Sequence, residues 1–194
     1  MIKLFLCLVS VPVSAQLLMT GETIGRNKAM VFFSPSLVWA VNSPKSTFSF
    51  GQVMYGLNNR VDIAFGVSLS TVLGQRQFGV IAGTNVNMLK TKVLSLSTWQ
   101  NFGTGLHHRK ESCDIWWYPS LVISRNFKNI TVYGGYAVTI PIGNIKDKLF
   151  TSNDVIHDIP MGISWTKGKS SLFSEYNYGP KYSVIAIGYG YQFK

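Results

Sequence analysis

Apolar and polar residues alternate one by one along much of the chain, which is the period of a β-strand whose two faces meet different surroundings. Over 61–69 every odd position is apolar and every even position is small or polar. The same pattern recurs at 78–88 and at 185–193. The alternation is weaker at 47–57 and at 93–102, where we expect a β-bulge or a change of register. The pattern predicts an all-β protein.

Ten strands follow from this pattern, and their connections are of two kinds. Connections after the even-numbered strands are tight turns, whereas the two longest loops, 103–113 and 143–154, follow odd-numbered strands. Short turns on one side and longer loops on the other are typical of transmembrane β-barrels. The predicted strands cover about residues 29–41, 45–57, 60–71, 77–89, 92–102, 114–125, 129–142, 155–166, 170–178 and 181–193.

The spacing of lysine and arginine indicates that these strands cross a membrane. The cations fall near the predicted strand ends and leave cation-free stretches of roughly 10 to 16 residues, while a membrane-spanning strand needs about 9 to 11 residues. A soluble sheet would carry Lys, Thr and Glu on the solvent face of each strand. At mid-bilayer Lys or Arg costs about 2–4 kcal/mol. We therefore predict an antiparallel up-and-down transmembrane β-barrel of about ten strands.

Aromatic residues toward the strand ends support this prediction, because aromatic girdles mark the two membrane interfaces of such barrels. The residues predicted to form the girdles are Tyr55, Trp99, Trp116, Trp117, Trp165, Tyr176, Tyr178, Tyr191 and Phe193.

Composition excludes further classes of protein. The chain has 194 residues, of which 46% are hydrophobic and only 13% are charged, so it holds about half the charge of an average soluble protein. Such a composition excludes disorder. Beyond the N-terminus there is no run of about 18 apolar residues, which argues against a helical membrane protein. The length suits one domain.

The last predicted strand carries a further pattern. It ends in the aromatic Phe193, preceded by Tyr191 at the alternate position and by Gly188 five residues upstream. With the turn segment at 55–62, this ending resembles the bacterial outer-membrane β-barrel proteins, in particular the small porin-like and transporter-like barrels. Ala186 departs from that pattern, where a polar residue is usual, and Lys194 follows the terminal aromatic.

This resemblance spans about residue 29 to the end and implies a location in the bacterial outer membrane. It also implies that the barrel assembly machinery is a partner and reads Gly188, Tyr191 and Phe193. One barrel plan serves channels, enzymes and adhesins, so the resemblance does not identify a solute.

The N-terminal residues predict export. A basic start at 1–3, an apolar stretch at 4–13 and small residues up to Ala15 have the form of a signal peptide over 1–15. Residues 16–28 are then an N-terminal periplasmic segment, and 29–194 are the barrel. Cleavage leaves Cys113 as the one cysteine, so no intramolecular disulfide is expected.

Three acidic residues are predicted to point into the lumen: Asp62, Asp158 and Glu175. One interpretation is a narrow, cation-preferring channel with Glu175 at mid-depth. The other is a structural or surface-binding barrel with a filled lumen, in which the acids bond to Tyr, Asn and Ser side chains. Bulky side chains that the alternation directs inward favour the filled lumen: Phe32, Trp116, Tyr118 and Tyr133.

The formal net charge of +10 predicts contact with lipid head groups. The cations form rings at strand ends and not one stripe, so nucleic acid is not the expected partner. The expected partner is the lipid of the outer membrane. The cations predicted to contact its head groups lie on the outer side of the barrel: Lys45, Arg76, Arg109, Lys110, Lys146, Lys148 and Lys181.

The sequence contains few residues in arrangements that could catalyse a reaction or bind a metal. His107, His108 and Glu111 lie in a charged loop without a third metal ligand, and neighbours such as His157 and Asp158 face opposite sides of a strand. No nucleophile elbow, phosphate loop or zinc motif occurs. We predict a non-enzymatic barrel without metal or cofactor. The alternatives are an outer-membrane enzyme with a loop-borne site and a soluble exported barrel that binds an apolar ligand.

Overall fold

The computed structural model describes residues 22–40, 46–72, 75–107, 112–144, 155–180 and 182–193. The predicted signal peptide at 1–15 lies outside this part of the chain. Each strand pairs antiparallel with the next, and the first pairs with the last, so the sheet closes into a ten-stranded barrel as predicted. The strands are β1 Ala29–Ala40, β2 Ser46–Gly56, β3 Val61–Val72, β4 Gln75–Lys90, β5 Leu94–His107, β6 Ser112–Phe127, β7 Ile130–Asn144, β8 Ile156–Lys167, β9 Ser170–Tyr178 and β10 Tyr182–Phe193.

Four short turns lie at the end of the barrel where β1 begins and β10 ends, which we call the periplasmic end. They cover 57–60, 91–93, 128–129 and 168–169. The two shortest begin with residues in the left-handed conformation, Lys128 at φ 58° and Gly168 at φ 63°. Such residues let a tight turn follow the twist of the flanking strands.

The register around the barrel determines how far the strands tilt. From Ser95 on β5, the ladder of paired residues passes through each neighbouring strand and returns to β5 at His107, 12 residues further along. A stagger of this kind requires the strands to tilt by about 35–45° from the barrel axis. Residues at one depth of the lumen therefore come from different positions along their strands.

The prediction of a β-bulge or register change at 47–57 is wrong, because β2 keeps one register with both neighbours. Its alternation is weak because the lumen-facing side also carries large apolar residues, Phe48, Phe50 and Met54. The irregularity expected near 93–102 has a counterpart in the ladder between β4 and β5, where the register shifts between Asn87 and Leu89.

The outer wall of the barrel is apolar and exposed. Phe33, Phe65 and Ile187, on three different strands, are each more than half exposed. Contiguous apolar surface of this extent on a closed barrel is what a lipid-facing wall presents, so the barrel is a transmembrane one. No helix among the described residues has the length and apolarity that a membrane crossing needs.

The packed core lies inside the barrel. Large lumen side chains there cover glycines of the neighbouring strand: a Cβ on Gly103 would lie 2.0 Å from the Trp116 ring. Trp99 and Trp116 are each 2% exposed, so their prediction as girdle residues is wrong, while the inward direction predicted for Trp116 is confirmed. On β5 the alternation directs Ser95, Ser97 and Trp99 to the lumen together.

Candidate functional site

The three predicted lumen acids are buried at three depths of the barrel. Asp62 and Asp158 are 0% exposed and Glu175 is 2% exposed. Asp62 is the second residue of β3, at the periplasmic end. Glu175 lies in the middle of β9, and Asp158 is the third residue of β8, toward the opposite end. The acids are thus spread along the lumen and do not form one cluster.

At mid-depth Glu175 is held by a tyrosine from the barrel wall. The hydroxyl of Tyr133 on β7 donates a hydrogen bond of 2.8 Å to Oε2 of Glu175 on β9. Between them on β8 lies Gly162, which is paired with both. A Cβ on Gly162 would lie 2.4 Å from the Tyr133 hydroxyl. Glycine therefore leaves the space through which Tyr133 crosses one strand to reach the carboxylate.

Nearer the outer end Asp158 is bound by a second tyrosine. The hydroxyl of Tyr182 on β10 donates to Oδ2 of Asp158 at 3.2 Å. Tyr118 on β6 is fully buried beside Asn177 and lies close to both Asp158 and Glu175. The upper half of the lumen thus holds two carboxylates, tyrosine hydroxyls and an amide close together.

At the periplasmic end Asp62 is held differently. Its Oδ2 accepts the backbone N–H of Ile24 at 3.1 Å and the side-chain amide of Asn85 at 3.4 Å. The same amide of Asn85 donates to the carbonyl oxygen of Glu22 at 3.2 Å. Residues 22–28, which we call the strap, therefore fold into the mouth of the barrel and cover Asp62.

The charge of the described lumen is one-sided. Its buried charged residues are the three acids, and no lysine or arginine is among the buried residues of the described strands. Lys90, exposed at the periplasmic end, is close enough to act electrostatically on Asp62. Tyrosine and asparagine side chains donate to these carboxylates, as the filled-lumen interpretation predicts, and the backbone of Ile24 donates to Asp62 as well.

The predicted assembly residues lie at the end of β10. Gly188 is buried on the lumen side, where a Cβ would lie 3.1 Å from the side chain of Ser34. Tyr191 and Phe193 pack edge to face with ring centroids 4.9 Å apart. The residues predicted to contact lipid head groups lie outside the described residues, apart from the backbone of Arg76 in β4: Lys45, Arg109, Lys110, Lys146, Lys148 and Lys181.

The candidate catalytic residues do not come together in the described part of the chain. His157 lies on the outer surface, where its Nδ1 shares a hydrogen bond with the Tyr136 hydroxyl, while its neighbour Asp158 points inward. His107 ends β5, and residues 108–111 lie outside the described ranges. Among the described residues no three His, Cys, Asp or Glu are placed to hold a metal ion.

The strap, the Tyr182 contact and the Tyr133 contact were not predicted from the sequence. One local signal for the strap was present: Gly25 and Asn27 are turn-forming residues directly before β1, and both have positive φ, 93° and 58°. They turn the chain back across the mouth. No local signal marks Tyr133 as the partner of Glu175, because the two residues are 42 positions apart.

A scan against models of known protein families finds no match, and neither does a search of curated proteins. Among solved structures, an outer-membrane channel from Pseudomonas putida F1 is similar with a TM-score of 0.57 and 8% identity, over 91% of this chain and 99% of that one. The KdgM porin matches at 0.44 and 12% over 86% and 99%, and the N-terminal β-barrel domain of OprF from Pseudomonas aeruginosa at 0.41 and 11% over 87% and 99%.

The first of these similarities is one of fold. The chain therefore has the architecture of the bacterial outer-membrane β-barrel proteins: a closed antiparallel barrel with an apolar, lipid-facing outer wall. The solved structures it resembles include channels and porins.

Proposed function

We propose that the protein is a narrow, cation-preferring channel of the bacterial outer membrane, closed in the conformation described. The observation that carries this proposal is the line of three buried carboxylates, Asp62, Glu175 and Asp158, without a buried lysine or arginine among the described lumen residues. Negative groups along a narrow lumen favour cations over anions.

Energetics support a functional role for these acids. Removing a carboxylate from water costs several kcal/mol even after relaxation. A barrel that only had to fill its interior would do so with neutral side chains at these positions. Ionisable groups inside a membrane protein mark ion pathways more often than they serve packing.

The lumen side chains account for closure. Trp99, Tyr118 and Tyr133 occupy the middle of the lumen and are almost completely buried. Ion flow therefore requires these side chains or the strap to move, and we expect brief openings from a closed resting state.

Replacing Glu175 by glutamine tests the assignment. The amide keeps the size of the side chain and an acceptor for Tyr133 but removes the charge at mid-depth. In planar bilayers under a KCl gradient, we expect wild-type protein to show a cation-selective reversal potential and Glu175→Gln to shift it toward zero. Ser174→Ala, on the outer face of the same strand, is the matched control. Open channels with unchanged selectivity in Glu175→Gln would contradict the role of this residue.

A second candidate is a structural or surface-binding barrel without ion flow. The packing of the lumen favours it, since the three acids have Tyr, Asn or backbone donors and large aromatics fill the interior. Absence of conductance in both wild type and Glu175→Gln, with both proteins folded, would favour this candidate.

The assignments made from the sequence are also part of the proposal. The signal peptide directs export, the assembly machinery reads the end of β10 through Gly188, Tyr191 and Phe193, and the outer cations contact lipid head groups. The barrel is non-enzymatic. A loop-borne active site is tested by replacing His107, His108 and Glu111 together, which would abolish activity only in an enzyme.

A further inference from the structure

The strap makes hydrogen bonds to opposite parts of the barrel wall. The carbonyl oxygen of Ile24 accepts the side-chain amide of Gln192 on β10 at 3.0 Å, while its N–H donates to Asp62 on β3. Glu22 accepts through its side chain from Asn126 on β6. Thr23 donates to the carbonyl of Asn59 in the β2–β3 turn at 2.9 Å. The seven residues of the strap therefore lie across the mouth and not along one side of it.

The barrel recognises mainly the backbone of the strap. Asn27 donates its N–H to the carbonyl of Gly56 at 2.8 Å, and the N–H of Gly56 donates to the carbonyl of Lys28 at 2.9 Å. These bonds continue the β1–β2 ladder beyond the barrel. Backbone bonding of an extended segment to a strand edge, with a pocket for one side chain, is a common way in which proteins bind peptides. Here the side chain is that of Ile24, which packs on the buried apolar residues of the lumen.

The shape of the mouth is adapted to this segment. Gly56 ends β2, and a Cβ on it would lie 1.9 Å from the carbonyl oxygen of Gly25. The other two atoms near that Cβ position are the carbonyl carbon of Gly25 at 2.7 Å and a carboxylate oxygen of Asp62 at an ordinary 3.4 Å. A Cβ at position 56 would therefore collide with the strap, while its nearest atom of the barrel wall lies at an ordinary contact distance.

We propose that the periplasmic mouth is a binding site for an extended peptide, which the chain fills with its own residues 22–28, and that this segment is a detachable cover over Asp62. The strap joins the barrel covalently only at β1 and contributes no strand to the closed sheet. Its departure leaves all ten strands paired and exposes Asp62 to the periplasm.

Gly56→Ala tests the docked position of the strap. Hydrogen–deuterium exchange of the folded protein in detergent micelles measures how often the backbone of 22–28 opens. We expect exchange of this segment to rise about ten-fold or more in Gly56→Ala, with exchange in the strands unchanged. Gly51→Ala lies on the same strand, where a Cβ has its nearest contact at 3.9 Å, and is the matched control. Unchanged exchange at 22–28 in folded Gly56→Ala would overturn the proposal.

A second experiment tests the site as a receptor. Ile24→Asp places a carboxylate among the buried apolar residues on which Ile24 packs, in a segment whose backbone already binds the Asp62 carboxylate, and should release the strap without altering the mouth. A fluorescent synthetic peptide with the sequence of residues 22–28 should then bind Ile24→Asp saturably. It should bind neither wild type, whose site is filled, nor the Ile24→Asp/Gly56→Ala double variant. A released strap with no peptide binding to Ile24→Asp would overturn the peptide site.

The consequence for ion flow rests on the proposed channel function. Exchange and peptide binding are measured without any current, so failure of the strap proposal and failure of the channel proposal are seen separately. If both hold, Gly56→Ala should open more often than Gly51→Ala in planar bilayers.

Discussion

The middle of the lumen and its periplasmic mouth both bury a carboxylate, but they hold it by different means. Glu175 is bound by Tyr133, a side chain of the barrel wall, through the space above Gly162. Asp62 is bound by the backbone of Ile24, in a segment that is not part of the closed sheet, and at a longer distance by Asn85 of the wall. Closure at mid-depth is therefore part of the folding of the barrel, whereas closure at the mouth is separable from it.

The largest loss of stability is expected when a methyl group is added in the middle of the lumen. In Gly162→Ala the new Cβ would lie 2.4 Å from the Tyr133 hydroxyl and 2.7 Å from the backbone oxygen of Ser174. Because the backbone cannot move aside, we expect a loss of about 3 kcal/mol, the upper end of the range for overpacking. Urea unfolding in lipid vesicles measures it. Gly134→Ala, with its nearest contact at 3.8 Å, is the control, and equal losses in the two variants would refute the packing argument.

Removing the tyrosine hydroxyl should have the next largest effect. Tyr133→Phe keeps the ring over Gly162 but takes away the hydrogen bond to the buried Glu175 carboxylate. We expect a loss of about 2 kcal/mol, since a buried acceptor then loses the donor described here. The same unfolding assay applies, with Tyr189→Phe on the exposed outer face as control. A loss no greater than that of the control would show that this bond contributes little.

The smallest effect on global stability is expected at the mouth. Gly56→Ala should lower the free energy of unfolding by about 1.4 kcal/mol, the equivalent of a ten-fold rise in opening of the strap, because it releases the strap and leaves the barrel wall intact. The clash is with Gly25, which can leave, and not with the wall. A loss as large as that of Gly162→Ala would mean that the strap is an integral part of the barrel, and the contrast between the two regions would disappear.

Most of the fold could be predicted from local patterns. All ten predicted strands are present, because lipid selects apolar side chains on one face of every strand and excludes charge from its middle. The loop predicted at 103–113 is shorter than expected, since β5 continues to His107 and β6 begins at Ser112. The prediction was wrong at β2 and at Trp99, where large apolar residues fill the lumen. A period-two pattern separates two faces only when they differ in polarity, and here part of the lumen is as apolar as the wall.

The site was less accessible to sequence reasoning. The acids could be located, and the types of their partners anticipated, since a buried carboxylate needs donors. The sequence could not show which tyrosine binds which acid, because Tyr133 and Glu175 meet only after β7, β8 and β9 pair in one register. The strap was anticipated only as an unassigned periplasmic segment.

The sequence by itself determined the number of strands, the direction of the side chains on the strands that alternate clearly and the acidic character of the lumen, because these follow from the surroundings of each residue along its own strand. Tertiary structure alone decided the 12-residue stagger on closure, the partner of each carboxylate and the position of the strap across the mouth. These depend on which residues of distant strands lie at one depth, and closure of the tilted sheet sets that relation.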